Sequence, residues 1–300
     1  MRQIESCPIC EGKSFKTRYP SNFSGTWEDA VPLFLANRVT AKRGQIVTCQ
    51  DCDFIFTNPQ FTPEDYAKIY GSITPFVETE GHERGQIARF NIRNEITSKY
   101  FQSGKFLDLG CGAGVYHRSL TKFEGYGFEV RPRSDYEYQE QERIYLGNFR
   151  DFASKPEHAE KFDFVTAWDV IEHVTDPQDY FEAVKTILKP GGIFIWSVPD
   201  PSCLTARVTG KNWNCYLLEH LWYFTPKTLK QFANKMGFEV LETHPMGFPV
   251  DFQSVVQRLA QTYGGKNIPL PGFIGNRVIK LPIGLMYSVT RKKDLADTDT

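Results

Sequence analysis

No uninterrupted apolar run of about 18 residues, the length a membrane-crossing helix demands, occurs anywhere in the 300-residue sequence. The amino-terminal MRQIESCPIC is polar and lacks the apolar core of a secretory leader, so a soluble, cytoplasmic chain is expected. Neither sign of charge is in excess: 35 Lys and Arg against 36 Asp and Glu leave a formal net charge of -1. Without a global field, and with no basic helix or arginine-rich stretch, the chain has little to hold a nucleic-acid backbone or an anionic membrane. Internal repeats and low-complexity tracts are also missing, which excludes solenoids and repetitive arrays. What is present is bulk: 300 residues at 41% hydrophobic can bury a large α/β core with a small appendage, so a mini-protein held by staples is ruled out. Aromatic content, 14%, exceeds what a packed core needs, and some of these rings are expected to line a pocket.

Composition divides the chain into a small amino-terminal unit at 1–60, a helical connector at 61–103, a large domain at 104–292 and a polar tail at 293–300. In the connector, Thr62-Pro63-Glu64-Asp65 reads as a helix start, with Thr62 as cap, Pro63 at the first helical position and two acids in the first turn. A second helical piece follows, in which Ile87, Phe90, Asn91, Asn94 and Ile96 suit packing against a sheet edge. From Lys105 apolar strands alternate with amphipathic helices, the signature of a mostly parallel sheet covered on both faces. Strands are expected at 106–110, 126–130, 143–147, 162–168, 192–199, 238–244 and 284–291. Asp176-Pro177 opens the best-defined helix, whose Phe181, Val184, Ile187 and Leu188 share a face before Lys189-Pro190-Gly191-Gly192 stops it. The stretch from 250 to 283 reads as a helix followed by a Gly/Pro-rich insertion over a pocket.

The seven cysteines are unevenly spread: Cys7, Cys10, Cys49 and Cys52 form two CxxC pairs, while the others are scattered. Each pair lets two thiolates grip one tetrahedral ion, and four thiolates leave no open position for water. The expected ion is a structural Zn²⁺ that folds the 1–60 unit as a ribbon; an iron–sulfur cluster or a pair of disulfides are the competing readings.

The first strand runs into Asp108-Leu109-Gly110-Cys111-Gly112-Ala113-Gly114. Glycines at 110, 112 and 114 permit a tight turn and close approach of a ligand at the carboxyl edge of the sheet. Val115 stands where a dinucleotide fingerprint wants its third glycine, and the Asp108 carboxylate suits a cation and repels phosphate. Glu129, 21 residues beyond Asp108 at the end of the second strand, is placed to accept both hydrogen bonds from a ribose diol. Asn148 and Phe149 offer an amide and a ring to an adenine, and Trp168 and Asp169 close the fourth strand. A cation, a ribose and an adenine without phosphate describe S-adenosylmethionine.

The series FLDLGCGAGVY, GYGFEV, GNFRDF, FDFVTAWDVIEHV and LKPGGIFIWSVP resembles that of class I S-adenosylmethionine-dependent methyltransferases over roughly 105–245. The resemblance implies a Rossmann-like seven-stranded sheet in the order 3-2-1-4-5-7-6 with strand seven antiparallel. It also implies Asp108, Gly110 and Gly112 near the methionine portion, with Cys111 and Gly114 completing the loop. Glu129 would lie on the ribose, Asn148 and Phe149 near adenine, and Trp168 and Asp169 beside the sulfonium. Zinc ribbons of this kind precede methyltransferase domains that act on sugars, a looser resemblance.

Methyl transfer to a hydroxyl or carbon needs alignment and a base. His220 is the favoured candidate and His173, in Glu172-His173, the second. His220 lies in the densest aromatic run of the chain, where Trp213, Tyr216, Trp222 and Tyr223 are read as a wall that stacks on the acceptor. The expected activity is methyl transfer to a small acceptor, a sugar, nucleotide-linked sugar or secondary metabolite. The alternatives are an RNA methyltransferase that uses the ribbon for recognition, and a module that holds the cofactor without using it.

Overall fold

The computed structural model describes residues 1–34, 42–73, 80–131, 143–262 and 268–293. The amino-terminal part contains β1 (Phe15–Tyr19), α1 (Trp27–Ala30), β2 (Ile46–Cys49) and β3 (Ile55–Thr57). The connector folds into α2 (Pro63–Ser72) and α3 (Glu80–Tyr100). Thr62 caps α2 as its neighbours suggest: its hydroxyl accepts from the Asp65 amide at 3.2 Å, while the Asp65 carboxylate accepts from the Thr62 amide.

The large domain begins with β4 (Lys105–Leu109), α4 (Val115–Ser119), β5 (Glu124–Glu129), β6 (Ile144–Leu146) and α5 (Phe149–Ala153). It continues through β7 (Phe162–Trp168), α6 (Pro177–Ile187), β8 (Leu188–Pro199), α7 (Leu204–Thr209), β9 (Trp222–Tyr223) and α8 (Pro226–Lys235). It closes with β10 (Phe238–Asp251), α9 (Phe252–Thr262), α10 (Gly272–Gly275) and β11 (Val278–Lys292). The large sheet runs β10-β11-β8-β7-β4-β5-β6. Counted from β4 and leaving out β9, that order is 3-2-1-4-5-7-6, and its seventh strand, β11, pairs antiparallel with both neighbours. The expected Rossmann-like topology is thus present.

Three differences from the sequence expectations have local causes. The Lys189–Gly192 turn lies inside β8, because Leu188 already bridges Phe162 and a register shift between Phe162 and Phe164 absorbs the extra residues. The last two strands are longer than their apolar runs and pair from Phe238↔Lys292 to Asp251↔Val278, which carries the hairpin past the sheet's carboxyl edge. On α3, Ile96 is buried at 4% exposure and Phe90 packs against the same cluster, but Ile87, expected on that face, is 51% exposed.

The amino-terminal sheet is not self-contained. Its order is β1-β2-β3-β9, so its fourth strand comes from the far end of the chain, with Ile55↔Tyr223 and Phe56↔Trp222 paired. One continuous core holds Cys7, Phe54 and Phe56 of the ribbon together with Leu107, Trp196 and Phe224 of the large domain. No helix among the described residues is long and apolar enough to cross a membrane.

Candidate active site

The four paired cysteines converge. Cys7 Sγ lies 3.6 Å from Cys52 Sγ and Cys10 Sγ 3.6 Å from Cys49 Sγ, with all four sulfurs within 4.8 Å of one another. A disulfide requires about 2.05 Å, whereas a tetrahedron of metal–sulfur bonds of about 2.3 Å has edges near 3.8 Å. The donor set therefore fits one tetrahedral ion, bound across the two knuckles.

The glycine loop sits at the carboxyl end of β4, facing the end of β7. Gly110 has φ +69°, and a Cβ there would lie 2.7 Å from Val170 Cγ2, so the turn after β7 presses directly on the loop. Gly112, at φ +56°, would direct a Cβ into open space, a cradle into which a ligand can approach the backbone. Glu129 closes the far side: its Oε2 accepts from the Gly112 amide at 3.0 Å and its Oε1 from the Val130 amide at 2.9 Å. Asp108 lies behind the loop, 4% exposed, and accepts a 2.7 Å bond from the Thr166 hydroxyl. Burial pushes its carboxyl up to about 7, although Thr166 and Arg93 pull the other way.

Other expected cofactor residues take different parts. The Cys111 sulfur lies against β5, where a Cβ on Gly127 would meet it at 2.6 Å, and it donates to the Gly112 carbonyl at 3.7 Å; burial pushes its thiol up. Gly114 is the left-handed cap of α4, at φ +73°. The Asn148 side chain, expected against adenine, caps α5 instead, its Oδ1 accepting from the amides of Arg150 at 2.8 Å and Asp151 at 3.2 Å. The Phe149 ring packs into the core, 5.2 Å from Phe128 and 4.6 Å from Tyr180. Trp168 is 6% exposed, and Asp169, at φ +58°, exchanges hydrogen bonds with Ser197 at 2.9 and 2.8 Å.

The two candidate bases meet. The rings of His173 and His220 stand edge to face with centroids 4.7 Å apart, and ligand atoms of Glu172, His173 and His220 lie within 4.8 Å of one another. His173 Nδ1 donates to the Glu219 carbonyl at 2.9 Å and His220 Nδ1 to the Cys215 carbonyl at 2.8 Å. A carbonyl accepts only from a protonated nitrogen, so both neutral imidazoles are held in the tautomer whose lone pair is on Nε2. A carboxylate and two such nitrogens can share a proton or hold a divalent cation. Glu172 is 1% and His220 7% exposed.

The aromatic wall needs correction. Trp213, Tyr216, Trp222 and Tyr223 are 1%, 2%, 2% and 0% exposed. Trp213, Tyr216 and Tyr223 pack edge to face around Ile46 and Ile55 of the ribbon. Trp222 stacks on Phe54 at 6.3 Å and donates its indole N–H to the Val174 carbonyl at 2.6 Å. These rings glue the ribbon to the large domain, and their density in the sequence reflects a seam that is apolar on both sides.

Two residues escaped the sequence reading. Arg93 reaches from α3 to lie 3.4 Å from Asp169, with its guanidinium 5.2 Å over the Trp168 ring. Thr57, at the end of β3, donates its hydroxyl to the His220 carbonyl at 2.9 Å. Neither lies in a motif, and only the packing of the connector and the ribbon brings them in.

Residues 82–243 match a family model described as a methyltransferase domain. The ubiquinone biosynthesis O-methyltransferase of Cereibacter sphaeroides is 29% identical over 162 residues, which is 49% of this chain and 65% of that protein. The chain thus spans less than two thirds of that relative's length. The protein of the same description from Marinobacter nauticus is 27% identical over 180 residues, 52% of this chain and 72% of its own. Among solved structures, an S-adenosylmethionine-dependent methyltransferase from Archaeoglobus fulgidus aligns with TM-score 0.47 at 16% identity, covering 69% of this chain and 94% of its own.

Proposed function

Since the chain belongs to the methyltransferase-domain family, we propose that it transfers the methyl group of S-adenosylmethionine to a hydroxyl of a small acceptor, a sugar or a hydroxylated secondary metabolite. The observation that carries this reading is the meeting of Glu172, His173 and His220, brought together by the turn whose Val170 stands against Gly110 and by the loop bonded to that turn. Its relatives, named as ubiquinone biosynthesis O-methyltransferases, support oxygen as the accepting atom.

When bound, S-adenosylmethionine supplies an electrophilic methyl group on a cationic sulfur. Glu129 and the open side of Gly112 fit its ribose, and Asp169 supplies the negative potential that suits its cationic end. His220, with its lone pair on Nε2, takes the proton of the acceptor hydroxyl as oxygen attacks the methyl carbon. The sulfonium would give up its methyl group and leave as a neutral thioether, and His220 would keep the acceptor's proton on its imidazole. Glu172 stabilises the resulting imidazolium, against which the His173 ring packs edge to face.

The test pairs binding with turnover. Calorimetric titration with S-adenosylhomocysteine should show binding to wild type and His220→Gln alike, within about twofold. In an acceptor screen beginning with sugars and hydroxylated rings, turnover of His220→Gln should fall by about 100-fold or more, the usual worth of a general base. Unchanged turnover would remove His220 from the mechanism, and absence of S-adenosylhomocysteine binding would remove the cofactor.

A further inference from the structure

We propose that Thr57 is a positioning residue for His220, so that the cysteine-bound ribbon forms the back of the active site. The inference rests on the reading of His220 as base. Its ground is a set of bonds that close over 163 residues of chain. The Thr57 hydroxyl donates to the His220 carbonyl at 2.9 Å, and the Thr57 amide donates to the neighbouring Leu221 carbonyl at 2.8 Å. One ribbon residue thus holds two successive peptide carbonyls of the loop that bears the base.

The other side of the same peptide is tied to Glu172 of the cluster, and a second hydroxyl joins Thr57 on the carbonyl. The Leu221 amide donates to the Glu172 carbonyl at 2.7 Å, and the Tyr223 hydroxyl donates to the His220 carbonyl at 3.1 Å. The His220 carbonyl therefore accepts two hydroxyl donors, as many as its lone pairs. Thr57 and Tyr223 are 3% and 0% exposed, so water cannot replace either bond without opening the seam. The pairing of β3 with β9 sets the register of these contacts. The ribbon sheet in turn is closed by Cys49 at the end of β2 and Cys52 in the turn before β3. A chain of short, buried links therefore runs from the four sulfurs to the imidazole. A base misplaced by about 1 Å can lose up to 100-fold in rate, so a side chain that fixes its backbone acts on the rate without touching the acceptor.

The experiment compares wild type, Thr57→Ser and Thr57→Val in the full-length, metal-loaded protein with S-adenosylhomocysteine as ligand. Long-range proton–nitrogen spectra of the histidine side chains report the tautomer of His220, its signal assigned by its absence from His220→Gln. Thr57→Ser keeps the hydroxyl and should leave that signal in place. Thr57→Val keeps the shape and loses the donor; it should move the His220 signal toward mixed tautomers while affinity for S-adenosylhomocysteine stays within about twofold. With the acceptor used for His220→Gln, its kcat should fall by about tenfold at unchanged acceptor KM. Should Thr57→Val fail to fold, Tyr223→Phe removes the second hydroxyl from the same carbonyl and must move the signal likewise. An unshifted His220 signal in a folded variant overturns the proposal. Full turnover of His220→Gln would instead overturn the base assignment and leave the spectra to stand.

Discussion

At the scale of single residues, the chemistry of the site depends on groups taken out of water. Asp108 shows this most directly, since burial lifts its carboxyl from 3.8 to about 7. The folded chain then keeps a proton that the unfolded chain releases, so the group's contribution to stability is complete below pH 3.8 and fades as pH rises to about 7. Each unit of difference is worth about 1.4 kcal/mol. Asp108→Asn should therefore flatten the decline in melting temperature between about pH 4 and 8 in the ligand-free protein, by scanning calorimetry. An undiminished decline would assign it to other groups. Asp108 was legible as a site residue because it ends a strand before a glycine loop; its protonation was not, because burial is a property of the packed sheet. Likewise Asn148 was read as a ligand, yet its place before an acidic first turn fits a helix cap equally well.

At the scale of elements, the β4 loop and the turn after β7 work as one unit, since Val170 fills the space beside Gly110. Gly110→Ala puts a Cβ 2.7 Å from a branched, stiff side chain at φ +69°. Its affinity for S-adenosylhomocysteine should fall by at least about tenfold by calorimetric titration, with metal content unchanged. Retained affinity would show that the loop relaxes without its neighbour. Elements with a strong local signal, α2 with its Thr62 cap and α6 with Asp176-Pro177, lie where their sequence puts them, because capping acts within a few residues. The ends of β10 and β11 were out of reach, because each is prolonged by pairing with the other, beyond its apolar run.

At the scale of the whole molecule, ribbon and sheet domain are joined through β9 and a shared core, so an ion held by the four sulfurs would be coupled to the integrity of the site. Cys49→Ser removes a fully buried thiol of the four-sulfur cluster; protein loaded with zinc should lose it by atomic absorption and melt at a lower temperature. Zinc retained at one per chain would mean that the sulfurs meet without holding it. The sequence alone determined the parallel sheet, the glycine loop with Glu129 opposite, and the two thiolate pairs. Periodicity sets strands, glycine sets left-handed turns, and a CxxC knuckle brings its own two sulfurs together, all within a few residues. Only the tertiary structure decided that His173 and His220 meet, that Arg93 and Thr57 reach the site, and that Trp213, Tyr216, Trp222 and Tyr223 are a seam and not a wall. The reason is physical: hydrophobic burial is not directional, so an aromatic run states that its rings are covered by something apolar without saying whether that is substrate or protein. The cover here is a ribbon more than 150 residues away along the chain, brought there when β3 pairs with β9.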